Sequence, residues 1–317
     1  MLSTSYPLWD GQAAGHFVAA EAAALCQQGH EVVVIAPGPR EQVCGTAPLV
    51  SRLPAGDSFG PPGVLARLRE RPLRAWGSLE FCWRARRELA RRGPFDQIIA
   101  HWLLPCAWPI ASGRAGALEA VAHGSDVRLF CRLPAALRRH IARSWLDQQV
   151  RLRCVSRQLG DLLIEASHPA LAEQIRVEPV PLVLGTPPGR AVARERLGVG
   201  EGTRLALLVA RLVPDKRVAA ALRALVHLPG ISLVVVGGGP LLSELTRSFP
   251  SVRFTGELAR PRALEWIAAA DVLVSASLLE GSPTALREAR ALGVPVVAQP
   301  AGDLRRWAVE DPGVWLV

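Results

Sequence analysis

An α/β fold built from two Rossmann-like domains, each a parallel sheet covered by helices on both faces, is the architecture this sequence predicts. Three observations carry that prediction. The chain has 317 residues, half of them hydrophobic, which is enough for two separate cores. Short β-branched runs alternate with helical patterns from residue 30 onward. A Pro- and Gly-rich stretch, PLVLGTPPGRAVARERLGVGEG, lies between two such series.

The first series contains EVVVIAP, FDQIIAH, LEAVAHG, VRLRCVS and IRVEPVP as strands. The second is more regular, with TRLALLVA, ISLVVVGG, SVRFTG, DVLVSAS and VPVVA as strands and helices near 215–227, 240–248, 261–269 and 283–291. Strands that alternate with helices give parallel sheets covered on both faces. The domain boundary is expected near residue 185, giving domains 1–184 and 185–317, and no internal repeat or low-complexity tract interrupts either one.

The formal net charge is +9, and of the 37 basic residues all but Lys216 are arginines. Such a balance points to an anionic partner: nucleic acid, a membrane surface or a phosphorylated small molecule. The stretch 64–92 carries nine arginines with Trp76, Phe81 and Trp83 among them. It is expected to form an amphipathic helix pair with a solvated face, or a basic, aromatic surface in peripheral contact with anionic lipid. No helix-turn-helix, zinc finger or ribonucleoprotein signature accompanies it, so no nucleic acid partner is expected. Cys26, Cys44, Cys82, Cys106, Cys131 and Cys154 lack any CxxC spacing and read as buried, reduced thiols. The opening MLSTSYPLWDGQ is not a signal peptide, and no apolar run approaches the roughly 18 residues of a membrane span. A cytoplasmic location, peripheral at most on the inner face of a membrane, is the expectation.

In open parallel sheets ligands bind beyond the carboxyl ends of the strands. The polar residues there are His123, Gly124 and Asp126 after LEAVA, Arg211 after LALLVA, Gly237 to Gly239 after ISLVVV, and Glu280 to Thr284 after DVLVSAS. Lys216 follows Arg211 by five residues, and its compact ammonium suits phosphate. In EGSPTALREARALGVPVV, Ser282 is expected as an N-cap and Pro283 as the first helical residue, with the helix running through Glu288 and stopping at Gly293. Free amides at that helix start would hold an anion, while Glu280 and Glu288 accept hydrogen bonds from hydroxyl groups. Sugar-type acceptors flanking an anion cradle suit a nucleotide sugar.

These residues resemble a retaining glycosyltransferase of family 4, with the two-domain GT-B fold, over residues 2 to 310. The family's two glutamates match Glu280 and Glu288, its diphosphate-holding Arg and Lys match Arg211 and Lys216, and its Gly-rich turn matches GGGP at 237–240. AHGSDV resembles the loop that gives His123 as the residue beside the donor sugar, and DGQAAGHFVAAEAAALCQQGHEVVVIAP the opening glycine loop and helix with Gly15. The resemblance implies transfer of a hexose, with retention, from a UDP- or GDP-sugar to a glycan or lipid-linked acceptor in cell-envelope synthesis. His123, Arg211, Lys216 and Glu280 would be catalytic. Gly15, Asp126, Gly237, Gly239, Leu258, Gly281, Ser282, Pro283, Thr284 and Glu288 would bind substrate. Leu258 is expected near the base, Glu288 on the ribose, and neither metal nor cofactor is expected.

The sequence departs from the family pattern in places. Only Met1 and Leu2 precede STSYP, so the first strand is expected to be clipped or to start upstream; the paired glycines near position 12 are replaced by Gly11, Gln12, Ala13, Ala14 and Gly15; and QPAGDLRR stands where a glycine-rich loop with a glutamate is usual. The chain also ends before the family's usual closing helices. Three alternatives stay open: a nucleotide-sugar epimerase, a non-catalytic nucleotide-sugar-binding relic, and a dinucleotide-binding oxidoreductase. The last rests on VVVGGGPLLSEL with Glu257 twenty residues after Gly237.

Overall fold

The computed structural model describes residues 1–9, 11–59, 67, 71–114, 116–182 and 184–317. The chain divides into two compact units, one made of Met1–Asp10 and Ala14–Pro181, the other of Gly11–Ala13 and Leu182–Val317. The break falls between Pro181 and Leu182 at the head of PLVLGTPPG, close to the expected residue 185, and residues 11–13 group with the second unit.

The first unit contains α1 (His16–Gln27), β1 (Val33–Gly38), β2 (Gln42–Cys44), β3 (Leu49–Pro54), α2 (Ala75–Arg92), β4 (Gln97–His101) and β5 (Ala117–Ala122). It continues with α3 (Ser125–Cys131), α4 (Ala135–Asp147), β6 (Arg151–Cys154), α5 (Arg157–Ala166) and β7 (Ile175–Val177). The strands form two blocks, β1-β3-β2 and β4-β5-β6-β7, parallel except for β2 against β3. Leu2 joins the blocks, bridging Ile35 of β1 on one side and Ala100 of β4 on the other. The strand expected to run into STSYP is thus a single buried residue whose amide and carbonyl pair with Ile99 and His101 (2.8 Å each). Alternation sets the faces of β1: Ile35 packs into the large core with Phe81, Phe130 and Trp145, while Val34 and Ala36 pack with Ala22 and Val50 on the opposite side. Fully burying an aromatic or branched side chain contributes roughly 1.5–3 kcal/mol each.

The strands β2 and β3 were not predicted. In β3 the sequence LVSRLP hides its character because Arg52 is buried, its guanidinium satisfied by the carbonyls of Tyr6 (3.1 Å), Pro37 (3.3 Å) and Pro7. Of the helix pair expected over 64–92, α2 is observed as amphipathic, with Phe81, Ala85, Glu88 and Leu89 buried; residues 64–66 and 68–70 lie outside the described residues. The cysteines are all free, but only Cys106 and Cys154 are buried, and Cys44 is exposed.

The second unit contains α6 (Arg190–Leu197), β8 (Arg204–Val209), α7 (Val218–Leu225), β9 (Ile231–Val236), α8 (Leu242–Ser248), β10 (Arg253–Phe254) and α9 (Arg260–Ala269). It closes with β11 (Val272–Ser275), α10 (Thr284–Ala291), β12 (Val296–Ala298), α11 (Leu304–Glu310) and β13 (Val314–Leu316). Its six strands run in the order β10-β9-β8-β11-β12-β13, and every pairing is parallel. Leu205 and Leu207 of β8 enter one core with Val234 and Val236, while Ala206 and Leu208 enter the other with Leu233 and Val235. The sheet is therefore covered on both faces, as a parallel sheet requires. Moving from β8 the chain lays strands outward to β10, then returns to the other side of β8 with β11. The crevice between the carboxyl ends of β8 and β11 is the topological switch point, where doubly wound sheets bind ligands.

Candidate functional site

Both strands that flank the switch point deliver residues singled out from the sequence. Beyond β8 the chain passes Arg211, which is exposed, into a short 3-10 turn, Pro214–Lys216, and the left-handed Arg217 (φ 48°). Beyond β11 it reaches Glu280. The Lys216 Nζ donates to Glu280 Oε1 at 2.6 Å, and both side chains are largely buried. An ammonium has three donors and a carboxylate about four acceptor positions, so one mutual bond leaves both groups able to bind a ligand.

The backbone around Glu280 is fixed by packing. Gly302 (φ 59°) lies so close that an added Cβ would sit 2.8 Å from the Glu280 carbonyl oxygen and 3.3 Å from that of Gly281. Gly302 is the glycine of QPAGDLRR, a segment noted in the sequence only as a departure. The helix start differs from expectation: α10 begins at Thr284, Pro283 occupies the N-cap position with ψ 103°, and no side chain caps the helix. Among the described residues the buried Ser282 hydroxyl has no hydrogen-bond partner. Gly293 takes the left-handed conformation just past the end of α10, as its sequence position implied.

Glu288, two turns into α10, is buried and receives the Arg260 guanidinium of α9 at 2.7 Å. Burial raises its carboxyl above the usual range, with Arg260 and then Arg287 pulling the other way. Arg290 turns to Asp311 in a bidentate pair at 2.7 and 2.8 Å. Leu258 is half-buried and packs on the core beneath β8.

Gly237 (φ 142°) and Gly239 (φ 148°) have a packing reason to be glycine. A Cβ on Gly237 would overlap the Ala210 carbonyl oxygen, and one on Gly239 would lie 2.6 Å from that of Leu212. Because β9 is the second strand of the unit, this turn is not the first βα turn that carries the dinucleotide fingerprint. That position belongs to the segment with Arg211 and Lys216, so the oxidoreductase alternative loses its motif.

In the first unit, Gly15 (φ 75°) opens α1, and a Cβ there would come within 2.5 Å of the Ser5 carbonyl oxygen. Asp126 is buried, and its carboxylate accepts hydrogen bonds from the amides of Leu103 (2.8 Å), His123 (3.1 Å) and Gly124 (2.8 Å). It holds the loops after β4 and β5 together, so the oxygens expected for substrate serve the backbone instead. His123 Nε2 lies 3.2 Å from Nδ1 of the fully buried His101, whose other nitrogen is 3.8 Å from Glu21. Glu21 in turn pairs with Arg153, itself 2.9 Å from Glu119. Burial, then the positive Arg153, lowers His123 to about 3, and burial with His123 and Arg153 holds His101 well below the usual range. Both imidazoles are neutral near pH 7.

Around His123 stand Trp102, with ring centroids 4.7 Å apart, and Phe17 at 5.0 Å. Trp102 has a positive φ of 75°, a conformation that costs a non-glycine residue on the order of 1–3 kcal/mol. His101 and Trp102 were not singled out in the sequence, although the strand-end rule that found His123 after LEAVA applies equally to FDQIIA. Among the described residues no group of three or more His, Cys, Asp or Glu is placed to hold a metal ion. Among them too, no helix is long and apolar enough to cross a membrane.

Comparison with known proteins adds an independent line. Residues 14–179 match the model described as Glycosyltransferase Family 4, and residues 203–317 match that of Glycosyl transferases group 1. The teichuronic acid biosynthesis glycosyltransferase TuaC of Bacillus subtilis is 38% identical over 112 residues, covering 34% of this chain and 28% of that protein. The D-inositol 3-phosphate glycosyltransferase of Mycolicibacterium gilvum is 34% identical over 137 residues, covering 39% and 31%. The matches thus span less than a third of those relatives' lengths. Among solved structures, the sucrose-phosphate synthase of Thermosynechococcus elongatus superposes with a TM-score of 0.74 at 20% identity, over 100% of this chain and 84% of that one. HepE of Anabaena, solved in complex with UDP-glucose, superposes with a TM-score of 0.62 at 17% identity over 96% and 81%. These structural matches share the two-domain, parallel-sheet α/β fold expected from the sequence.

Proposed function

Because the chain belongs to glycosyltransferase family 4, we propose that it transfers a hexose from a nucleoside diphosphate sugar, with retention of configuration, to a glycan or lipid-linked acceptor. The observation that carries this reading is the Lys216–Glu280 pair at the switch point of the second unit. In it a cation for the diphosphate and a carboxylate for sugar hydroxyls stand side by side. The names of relatives and neighbours, which include UDP-glucose as a bound donor and teichuronic acid synthesis as a process, support a nucleotide donor and a role in polysaccharide or glycolipid assembly.

The chemistry follows from charge. Departure of the nucleoside diphosphate leaves negative charge on the β-phosphate, and Lys216 with Arg211 offers preorganised positive charge where it develops. Glu280 orients the transferred sugar through its hydroxyls, and Glu288, steadied by Arg260, accepts from the ribose. His123, neutral near pH 7, is a hydrogen-bonding contact for the sugar rather than a proton acceptor. The leaving phosphate oxygen then takes the acceptor's proton, so the step balances without a metal or a cofactor.

The test is to incubate the protein with a panel of UDP- and GDP-sugars, with and without membrane lipid extract, and to measure nucleoside diphosphate release and the anomeric configuration of the product. Release with a retained anomer is the expected result. An isomerised sugar still attached to its nucleotide would indicate an epimerase. Absence of release from every donor, by this chain and by one extended at both ends, would overturn the reading.

A further inference from the structure

The helix α2 presents a second surface that the transfer chemistry does not use. Phe81, Ala85 and Leu89 turn inward, yet Trp76, Leu79 and Trp83, spaced to share the opposite face, are 72%, 60% and 56% exposed. Leu73, in the turn just before the helix, is 80% exposed and lengthens the stripe. Large apolar side chains concentrated on one solvent-facing strip mark a docking surface rather than ordinary surface scatter. The stripe runs into a groove of about 470 Å³, walled by Leu79, Cys82 and Trp83 of α2 and by Trp108, Pro109 and Ile110 of the turn before β5. Arg86 ties the two walls together, donating to the carbonyls of Pro109 (2.8 Å), Ile110 (3.3 Å) and Ser112 (3.1 Å).

Charge selects the occupant. Residues 71–92 contain seven arginines and two glutamates, and the Arg87 guanidinium lies over the Trp83 ring, 4.7 Å from its centroid. A symmetric contact between two copies would set this positive surface against itself. Tryptophan and arginine beside aliphatic side chains on one helix face suit the layer between lipid headgroups and acyl chains, where indole rings settle and cations meet phosphate. We propose that α2 docks the first unit on an anionic phospholipid bilayer. Leu73, Trp76, Leu79 and Trp83 enter the interfacial layer, the groove accepts part of an acyl chain, and Arg71 and Arg87 face the phosphates.

Flotation of the full chain with vesicles of phosphatidylcholine, alone or mixed with phosphatidylglycerol, tests this. The protein is expected to float with the mixed vesicles, and brominated acyl chains to quench its tryptophan fluorescence. A Trp76→Ser, Trp83→Ser double variant should lose about tenfold or more in binding. Arg87→Gln, which keeps the exposed leucines and tryptophans and removes one charge, should weaken binding to the mixed vesicles and lessen its sensitivity to salt. Equal flotation with neutral vesicles, undiminished binding by the double variant, competition by nucleic acid, or a dimer that only the double variant dissociates would each overturn the proposal. Donor hydrolysis is read in parallel: a chain that releases nucleoside diphosphate but never floats sinks the docking surface alone.

Discussion

Lys216 and Glu280 are 64 residues apart in sequence and 2.6 Å apart in space, joined across the two strands between which the second sheet reverses its winding. The only ammonium side chain in the sequence is therefore held by a carboxylate at the point where such sheets bind ligands. Lys216→Ala should lower donor turnover by about 10²-fold, the scale of losing one transition-state charge contact. Arg217→Ala, at the next residue, should change it less than about threefold, because Arg217 is exposed and serves the turn. Equal losses in steady-state nucleoside diphosphate release would remove Lys216 from the site.

Arg260 and Arg290 make separable predictions. Arg260→Ala strips Glu288 of its hydrogen-bonded partner and is expected to weaken nucleotide binding about tenfold, measured by calorimetric titration with nucleoside diphosphate. Arg290→Ala breaks the pair with Asp311 instead. It should lower the urea midpoint and leave nucleotide affinity within about twofold.

The glycines differ in what surrounds them, and their alanine variants should rank accordingly. Gly256 (φ 72°) has open space around a would-be Cβ, so Gly256→Ala should cost about 1 kcal/mol from backbone conformation alone. Gly237→Ala adds a collision with the Ala210 carbonyl and should cost at least about 3 kcal/mol. Chemical denaturation of the two variants checks the order, and an inverted order would contradict the loop packing.

Acidification should destabilise the first unit through its buried imidazoles. His123 and His101 are depressed in the folded chain, so the unfolded chain binds more protons as pH falls below the ordinary histidine value of 6.5. The stability due to their neutral forms is complete above about pH 6.5 and is lost as pH falls toward about 3, where His123 titrates in the folded state. Each such proton costs about 1.4 kcal/mol per pH unit. A His123→Phe variant should show a shallower acid limb in a plot of urea midpoint against pH, and an unchanged slope would refute the assignment.

Glu88 contributes in the same direction lower on the scale. Burial would raise its carboxyl, but hydrogen bonds from Arg91, Arg92 and Ser51 outweigh that and hold it down to about 2. Its stabilisation is complete above the ordinary glutamate value of 4.5 and is lost as pH falls through about 2. Glu88→Gln should cost about 2 kcal/mol at neutral pH, read as a lower urea midpoint, and little at pH 2.

Much of this was legible in the sequence where alternation is clean. TRLALLVA and ISLVVVGG send successive residues to opposite cores, so they read as strands buried on both faces. Where a polar residue is buried the signal fails, as with Arg52 in β3, and Leu2 is too short a strand to have any period. Lys216, Glu280 and Glu288 were singled out from residue type, position beyond strand ends and family resemblance, and their pairing partners were not. Arg260 comes from another helix 28 residues away, a relation that only the packing of α9 on α10 creates. Ser282 was misread as a cap because the extended ψ of Pro283 delays the helix start by one residue.

Trp102 sets two demands on one position against each other. Its backbone sits where glycine rests most easily, while its indole packs on His123 and Phe17. Relieving the main chain by substitution with glycine would remove a wall beside the imidazole. Any stabilising replacement here must keep a flat ring on a backbone that disfavours side chains, so relief of the main chain and packing around the imidazole cannot be improved together at this residue.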